Sequence, residues 1–378
     1  MTKRHIAFCL EHAYGHIVPT LGIALELLRR GHQVSYAVTE HFAPPLKRLG
    51  IDARILNPIE TRSAMVEIAK KNDGTYDFDT LPDTQVSSRL AKLHEDRTAD
   101  SVAQLEKLYL RNEPDVVVHD DCLDIAGRTF AAKRGIAKIR HEPMYLTKNN
   151  LDNFAQDDLV IVSVPMFLNT DNDLLDDRFR CVGFIPEGRR EFFAPWVSDC
   201  NNKRTIVVSA TTGLLPQVEF CKLIIDAFRN QPWNIVLSAG GRHDPISRVD
   251  AEILNKLPSN FRLNQGSSTF ALLENARLFI GQGQQGSPLE ALYWGVPLLT
   301  IPSATHQDAH ARRLEELGLG GRIGASGLSA DHTRLAAISV MNNADIQSRV
   351  KWAQELIRKD NAAEMAADIV EQYIQVHA

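Results

Sequence analysis

Two successive series of apolar, strand-like runs, each alternating with helical segments, constrain the fold of this chain more than any other feature. The strands of the first series are predicted at Ile6–Leu10, Gln33–Val38, Val116–His119, Ala137–Arg140 and Leu159–Val164. Helices are predicted between them at about Pro19–Arg30, Val86–Leu110 and Ile125–Arg134. Strands that alternate with helices in this way are typical of a doubly wound parallel sheet.

The alternation starts again after a polar stretch at Glu187–Lys203, where Pro195 and a pair of asparagines interrupt regular structure. The strands of the second series are predicted at Thr205–Val208, Ile235–Ser238, Phe261–Asn264, Leu278–Ile280 and Leu298–Ile301. A length of 378 residues suits two domains of ordinary size. The sequence therefore predicts an α/β protein with two Rossmann-like domains, at residues 1–190 and 205–345, joined by a linker at 191–204.

The composition narrows the range of partners and compartments. Hydrophobic residues make up 44% of the chain and charged residues 24%, as in soluble globular proteins. The net charge of -5, without a basic block, argues against nucleic acid or an anionic membrane as a partner. Apolar runs are too short for a membrane span, and Ile6–Leu10 is too short for a signal peptide. We therefore expect a cytoplasmic protein.

The cysteines and histidines do not form a recognisable metal motif. The five cysteines are scattered without a CxxC pair. His306 and His310 have helical spacing, but no third ligand of the usual kind is nearby. A structural or substrate-facing role is favoured for this pair, and no metal is expected.

The segment Glu11–Pro19 contains the strongest candidate for a functional residue. It follows the first strand and precedes the first helix, so Gly15 and His16 are predicted in a loop at the carboxyl end of a strand. Ligands of open α/β sheets bind at that edge. Glycine allows a tight turn and close approach to a ligand, and an imidazole titrates near neutral pH. The alternative is a histidine that caps the helix or faces solvent.

The residues Gly15–Leu21 and Arg30–Tyr36 resemble the first βαβ unit of bacterial macrolide-type glycosyltransferases. The likeness continues through Val116–Asp120, Phe184–Pro186, Val236–Arg242, Leu257–Asn260 and Ala276–Gly321. The resemblance implies an inverting, nucleotide-sugar-dependent enzyme of the GT-B fold, in which two Rossmann-like domains face a cleft. It also implies that the last helices, at 346–378, return toward the first domain. The nucleotide sugar would be a co-substrate, and no cofactor or metal is implied.

For catalysis, the resemblance implies a histidine–aspartate pair made by His16 and Asp120. His16 would be the general base, and Asp120, which follows the strand at Val116–Val118, would fix its tautomer and stabilise the imidazolium. The alternative for Asp120 is a cap on the helix that begins near Ile125. Asp121 or Asp124 fits that second role better.

The donor site is predicted in the second domain, at the segment Gln282–Glu290. By resemblance, Gly286 and Ser287 contact the diphosphate and Glu290 contacts the ribose. Four stretches depart from the family pattern: Gln282 replaces a histidine, His306-Gln307 replaces an Asp-Gln pair, and the loops at 210–213 and 266–269 differ. Arg242 is either a phosphate contact or a solvated loop residue. The predicted donor-side residues are Thr211, Thr212, Arg242, Ser267, Gln282, Gly286, Ser287, Glu290, His306 and Gln307.

The acceptor is expected at the first domain. The predicted contacts are Tyr14, Phe78, Met144 and Tyr145. The polar stretch from Pro58 to Gln85 is either a mobile loop beside the acceptor or a plain surface loop. Only a polar loop at Thr147–Asp158 stands where the family has a longer helical excursion, which predicts a wide acceptor cleft.

Together these features predict an inverting glycosyltransferase of the hexosyltransferase type. It would move a UDP- or dTDP-linked sugar, favouring a deoxysugar, to a hydroxyl of a natural product, as in antibiotic biosynthesis. Two alternatives remain open: a GT-B-shaped auxiliary protein that has lost sugar transfer, and an enzyme with a changed donor. The sequence leaves open the acceptor and the oligomeric state, with a homodimer among the options.

Overall fold

The computed structural model describes residues 2–59, 84–121, 125–170, 172–193, 204–209, 217–238, 257–264, 267–284, 286–303 and 305–377. The chain divides into two compact units. The first consists of Met1–Phe192 together with Asp360–Ala378, and the second consists of Phe193–Lys359.

The first unit is built on a parallel sheet with the strand order β3-β2-β1-β4-β5-β6-β7. Its strands are β1 (His5–Cys9), β2 (Gln33–Val38), β3 (Asp52–Ile55), β4 (Val116–His119), β5 (Ala137–Glu142), β6 (Val160–Val162) and β7 (Phe179–Cys181). Its helices are α1 (Tyr14–Ile17), α2 (Leu21–Arg29), α3 (Ala43–Arg48), α4 (Thr84–Tyr109), α5 (Ala126–Arg134) and, from the end of the chain, α12 (Ala362–His377). Short 3₁₀ turns lie at Val18–Thr20, Glu40–Phe42, Lys148–Phe154, Met166–Leu168 and Asn172–Leu174.

The second unit is built on another parallel sheet, with the strand order β10-β9-β8-β11-β12-β13. Its strands are β8 (Thr205–Ser209), β9 (Asn234–Ser238), β10 (Phe261–Asn264), β11 (Ala276–Gly281), β12 (Leu298–Thr300) and β13 (Gly320–Arg322). Its helices are α6 (Gln217–Phe228), α7 (Thr269–Leu273), α8 (Gly286–Tyr293), α9 (Thr305–Glu316), α10 (Ala330–Asn342) and α11 (Ala344–Lys359), and a 3₁₀ turn lies at Ala325–Gly327. The predicted fold class, two doubly wound parallel-sheet α/β domains, is confirmed.

The central strands form because they are apolar along their whole length. Every residue of β1 and β4 is buried, as expected for parallel strands that helices cover on both faces. In the core of the first unit, the rings of Phe8 and Tyr36 stack with centroids 4.5 Å apart. Helix α5 ends at Gly135, whose φ of 67° is in the left-handed region that glycine adopts without strain.

Three strands were not predicted, and all three lie at sheet edges. They are β3, β7 and β13, which have only three or four residues and alternate between buried and partly exposed positions. Edge strands need no continuous apolar run, so the pattern that indicates a central strand is missing from them. The helix predicted from about Pro19 corresponds to α2, which begins at Leu21; before it the chain already forms the short helix α1 and the 3₁₀ turn Val18–Thr20.

The end of the chain is shared between the units. We expected the return toward the first domain to begin at residue 346, whereas the residues that group with the first unit begin at Asp360. Helix α11 stays with the second unit because it packs on α8: Gln354 and Arg358 both donate to the Tyr293 carbonyl, at 3.2 and 2.7 Å. Helix α12 packs on α2 through Glu371, which accepts hydrogen bonds from Arg30 and His32.

No helix in the described parts of the chain is both long and apolar enough to cross a membrane.

Candidate active site

The turn after β1 carries His16 into the first helical turn rather than leaving it in a loop. Ala13 has extended backbone angles, and α1 starts at the next residue. The His16 amide donates to the Ala13 carbonyl at 3.0 Å. Gly15 has no positive φ, and a Cβ there would meet nothing within 4 Å. The tight turn expected from the sequence therefore does not require glycine at this position.

His16 is paired with Asp120, which follows β4 directly. The His16 Nδ1–H donates to Asp120 Oδ2 at 2.9 Å, and the two side chains are 16% and 4% exposed. Because β1 pairs with β4, the backbone after β1 also reaches Asp120, and the Glu11 amide donates to both carboxylate oxygens, at 3.1 and 3.2 Å. A carboxylate accepts only, so in the neutral form of His16 this contact places the proton on Nδ1 and the lone pair on Nε2.

The Asp120 carboxyl is held in its ionised form. Burial by itself would raise its pKa, but the charge and hydrogen bond of His16, together with the Glu11 amide, outweigh burial and hold the pKa below its ordinary value. The alternative of a helix cap does not describe Asp120 here, because Ile125 occupies the N-cap position of α5 without a side-chain cap.

Two further titratable residues lie beside this pair on β5. The register of β4 with β5 pairs His119 with Arg140, so His141 is the next residue across from Asp120. Burial lowers the pKa of His141 to about 3, and neither ring nitrogen has a hydrogen-bond partner within the described part of the chain. Burial raises the pKa of Glu142 to about 7. Our sequence analysis missed both residues, although three polar residues ending a buried strand were a usable signal.

A cluster of His119, Asp121 and Asp157 has the composition of a metal site. One ligand atom from each residue lies within 4.8 Å of the others. However, Arg140 lies 3.1 Å from Asp157 and 3.5 Å from Asp121, and Arg128 lies 3.2 Å from Asp121. Two guanidinium groups on the carboxylates already balance their charge, so this cluster fits an ion-pair network better than a cation site.

The predicted acceptor residues have different environments. Tyr14 is half-buried, with its hydroxyl hydrogen-bonded to His41 Nε2 at 2.5 Å and its ring edge-on to Phe42. Met144 is 42% exposed, whereas Tyr145 is only 3% exposed and offers almost no surface to a ligand. Phe78 lies outside the described residues, as does most of the stretch from Pro58 to Gln85.

The segment expected as a polar loop at 147–158 contains structure. Its 3₁₀ turn, Lys148–Phe154, buries the Phe154 ring beneath the Arg140 guanidinium, 4.0 Å from the ring centroid. A single aromatic residue within a polar stretch was too weak a signal to predict this packing.

In the second unit, the turn from β11 into α8 brings several of the predicted donor-side residues together. Gly286 and Ser287 are the first residues of α8, and Glu290, in the same helix, is buried. Gly283 has a φ of 85°, and a Cβ there would lie 2.7 Å from the Gln307 carbonyl oxygen, so this position requires glycine. A small cavity at this turn is lined by Ser209, Gln282, Gly283, Gln284, Ser287 and Pro288. Amide groups at a helix N-terminus favour an anion.

Two of the departures from the family pattern are joined in this unit. Gln307 is 3% exposed, and its Oε1 accepts from both the amide and the hydroxyl of Ser303, each at 2.9 Å. The Gln282 side-chain amide donates to the same Ser303 hydroxyl at 3.2 Å. The acceptor oxygen of Gln307 is therefore used within the protein.

The other predicted donor-side residues are less well defined. The Ser267 amide donates to Asn264 Oδ1 at 3.1 Å, and its carbonyl accepts from Asn264 Nδ2, which forms a tight turn before α7. His306 lies in α9, where only its backbone position is described. Thr211, Thr212 and Arg242 lie outside the described residues.

Comparison with known proteins decides the family. NDP-glycosyltransferase YjiC of Bacillus subtilis (strain 168) is 30% identical over 418 residues, a match that covers 100% of this chain and 99% of that protein. The demethyllactenocin mycarosyltransferase of Streptomyces fradiae is 26% identical, and the match covers 97% of this chain and 86% of that protein. Residues 244–374 also match the family model described as "Erythromycin biosynthesis protein CIII-like, C-terminal domain". The chain belongs to the macrolide-type glycosyltransferases.

The solved structures agree with this assignment. The calicheamicin glycosyltransferase CalG4 superposes with a TM-score of 0.75 at 25% identity, over 99% of both chains. The protein is therefore a glycosyltransferase of the natural-product type with the GT-B fold. The matches to these relatives cover 97–100% of the chain, so both units lie within the matched region.

Proposed function

We propose that this glycosyltransferase moves a sugar from a nucleotide sugar to a hydroxyl of a natural product, with inversion at the anomeric carbon. The observation that carries the proposal is the 2.9 Å hydrogen bond from His16 to Asp120 at the carboxyl edge of the first sheet. In this mechanism His16 is the general base and Asp120 holds it in the reactive tautomer.

The chemical steps follow from the protonation state of this pair. His16 Nε2 takes the proton of the acceptor hydroxyl while the oxygen attacks the anomeric carbon, and the bond to the diphosphate breaks on the opposite face. Asp120 stabilises the imidazolium that forms. The diphosphate leaves toward the amides of Gly286 and Ser287 at the start of α8, and Glu290 contacts the ribose. Attack from the face opposite the leaving group inverts the configuration.

The donor site favours a sugar with few hydroxyl groups. Gln282 is neutral and donates to Ser303, and the oxygen of Gln307 is also used by Ser303. His306 accepts a hydrogen bond less strongly than a carboxylate would. A sugar hydroxyl that finds no acceptor in the site weakens binding, so a donor that lacks such hydroxyls loses least. We therefore propose a UDP- or dTDP-linked deoxysugar as the preferred donor.

The exposed Met144 at the end of β5 is an apolar surface beside the strand that carries His141. This feature supports an acceptor with an apolar face.

The test combines nucleotide binding with transfer. Calorimetry with UDP and dTDP should show binding, and a competition between UDP-glucose and dTDP-rhamnose over a panel of hydroxylated natural products should favour dTDP-rhamnose. The anomeric coupling constant of the product should show inversion. His16→Ala should lose about 100- to 10,000-fold in turnover and keep its nucleotide affinity. Clear preference for UDP-glucose overturns the donor proposal, and wild-type turnover of His16→Ala overturns the proposed base. The absence of both nucleotide binding and sugar transfer would favour an auxiliary protein.

A further inference from the structure

Glu11 makes two contacts that connect the candidate base to a distant helix. Its backbone amide donates to both oxygens of Asp120, at 3.1 and 3.2 Å. Its side-chain carboxylate accepts from one guanidinium nitrogen of Arg97, at 3.0 and 3.2 Å. Arg97 belongs to α4 and lies 86 residues further along the chain. The Glu11 and Arg97 side chains are only 10% and 8% exposed.

The burial of this ion pair makes each partner depend on the other. Removing one member of a buried pair leaves a charge without compensation, and the chain then moves to expose that charge to water. For Glu11, such a movement would displace the backbone segment that carries its amide. The amide would then leave Asp120, which would lose one of the contacts that fix its orientation toward His16.

The Glu11–Arg97 ion pair also affects the balance of charge around Asp120. The titratable groups that face Asp120 are His16 from α1 and His141 and Glu142 from β5, with Glu11 on the adjoining turn. Arg97 neutralises the Glu11 carboxylate. Without Arg97, the Glu11 carboxylate would lose this compensating charge, and an added negative charge on the turn that adjoins Asp120 favours the imidazolium form of His16.

We infer that Arg97 is a positioning residue for sugar transfer: by binding the Glu11 carboxylate, it holds the Glu11 amide on Asp120 and so keeps His16 oriented. This inference rests on the proposed role of His16 as general base. It assigns a function to an ion pair that does not touch the reacting atoms.

The central experiment is the variant Arg97→Gln in the transfer assay, with the donor that the wild type uses. We expect kcat to fall by about 100-fold, as for a displaced catalytic group. UDP and dTDP affinity should not change, because Arg97 lies in the other unit from the donor residues. The acid limb of the kcat–pH profile should move to higher pH, because a Glu11 carboxylate that has lost the Arg97 charge favours protonated His16. A purely structural defect would not move this limb.

The double variant Glu11→Gln/Arg97→Gln separates charge from position. A glutamine at position 11 keeps the backbone amide but removes the carboxylate charge that Arg97 compensated. The double variant should therefore have a kcat at least about tenfold higher than that of Arg97→Gln, and its acid limb should return to lower pH. Lys92→Gln is the matched control. Lys92 lies on the same helix with its side chain 67% exposed, and this variant should keep wild-type kcat.

Wild-type kcat in Arg97→Gln, or a double variant no more active than Arg97→Gln, would overturn the inference. If Arg97→Gln does not fold, Glu11→Gln is compared with the double variant. The double variant should then be several-fold slower than Glu11→Gln, because Arg97 no longer anchors residue 11. Equal rates of these two variants would also refute the inference. Failure of the proposed base is recognised separately, since His16→Ala would then keep its turnover.

Discussion

Replacing Asp120 with asparagine tests the proposed mechanism with the smallest change of shape. Asparagine can still accept from the Glu11 amide, but it removes the negative charge that lies 2.9 Å from His16 Nδ1. Two unit charges at that distance interact by about 6 kcal/mol at an effective dielectric constant of about 20. Part of this energy is already present when His16 is neutral, because a hydrogen bond to the carboxylate remains. We therefore expect kcat to fall by about 1,000- to 10,000-fold.

The assay is steady-state transfer with saturating donor and acceptor, run beside calorimetric titration with UDP or dTDP. The titration is the internal control, since Asp120 and the predicted donor residues belong to different units. Unchanged nucleotide affinity with a large loss of kcat would fit the mechanism. A loss of kcat smaller than tenfold, in a protein with wild-type thermal stability, would show that the Asp120 charge does not support catalysis.

Two buried carboxyl groups give predictions for stability. Burial raises the pKa of Glu142 to about 7, so the folded state holds a proton that the unfolded state has lost between pH 4.5 and 7. As pH rises from 4.5 to 8, the unfolding free energy of the wild type should therefore fall by about 3 kcal/mol relative to that of Glu142→Gln in urea titrations, a comparison in which the opposite contribution of His141 cancels. Glu371→Ala should lower the unfolding free energy at pH 7 by about 3 kcal/mol, because it leaves Arg30 and His32 without their shared acceptor. Asp368→Ala, whose side chain is 56% exposed, should change stability by less than about 1 kcal/mol. A difference between the wild type and Glu142→Gln that does not change with pH, or equal effects of the two alanine variants, would contradict these predictions.

The sequence was sufficient to predict the layers of the fold and the meeting of His16 with Asp120. Strands such as β1 and β4 are buried on both faces and so appear as continuous apolar runs. Because parallel strands end at the same edge of a sheet, residues that directly follow them come together even when 104 positions separate them. The resemblance to the family named this pair, and the general rule for strand ends explains why the two residues meet.

The contacts that support the pair could not be predicted in the same way. The Glu11 amide reaches Asp120 through the backbone, which no side-chain pattern reports. Arg97 reaches Glu11 only because of how α4 packs on the sheet, and one arginine within a charged helix has no distinguishing signature. Gln307 was expected to face the donor sugar, but residue order does not reveal that its oxygen accepts from Ser303.

The predicted donor site also contains contacts that the sequence does not reveal. In the sequence, nothing connects Gln282 with Gln307, and the departures from the family pattern at these positions suggest that contacts to the donor have been lost. In the structure, both side chains bind the Ser303 hydroxyl, and together they form a neutral hydrogen-bond network at the end of the second sheet. Each of these buried polar groups gains a partner in this way, and an unsatisfied buried amide would be destabilising. The same segment contains the tight turn at Gly283, where the Gln307 carbonyl leaves no room for a Cβ. These contacts leave a neutral, internally hydrogen-bonded surface at the predicted donor segment, which fits the deoxysugar donor that we propose.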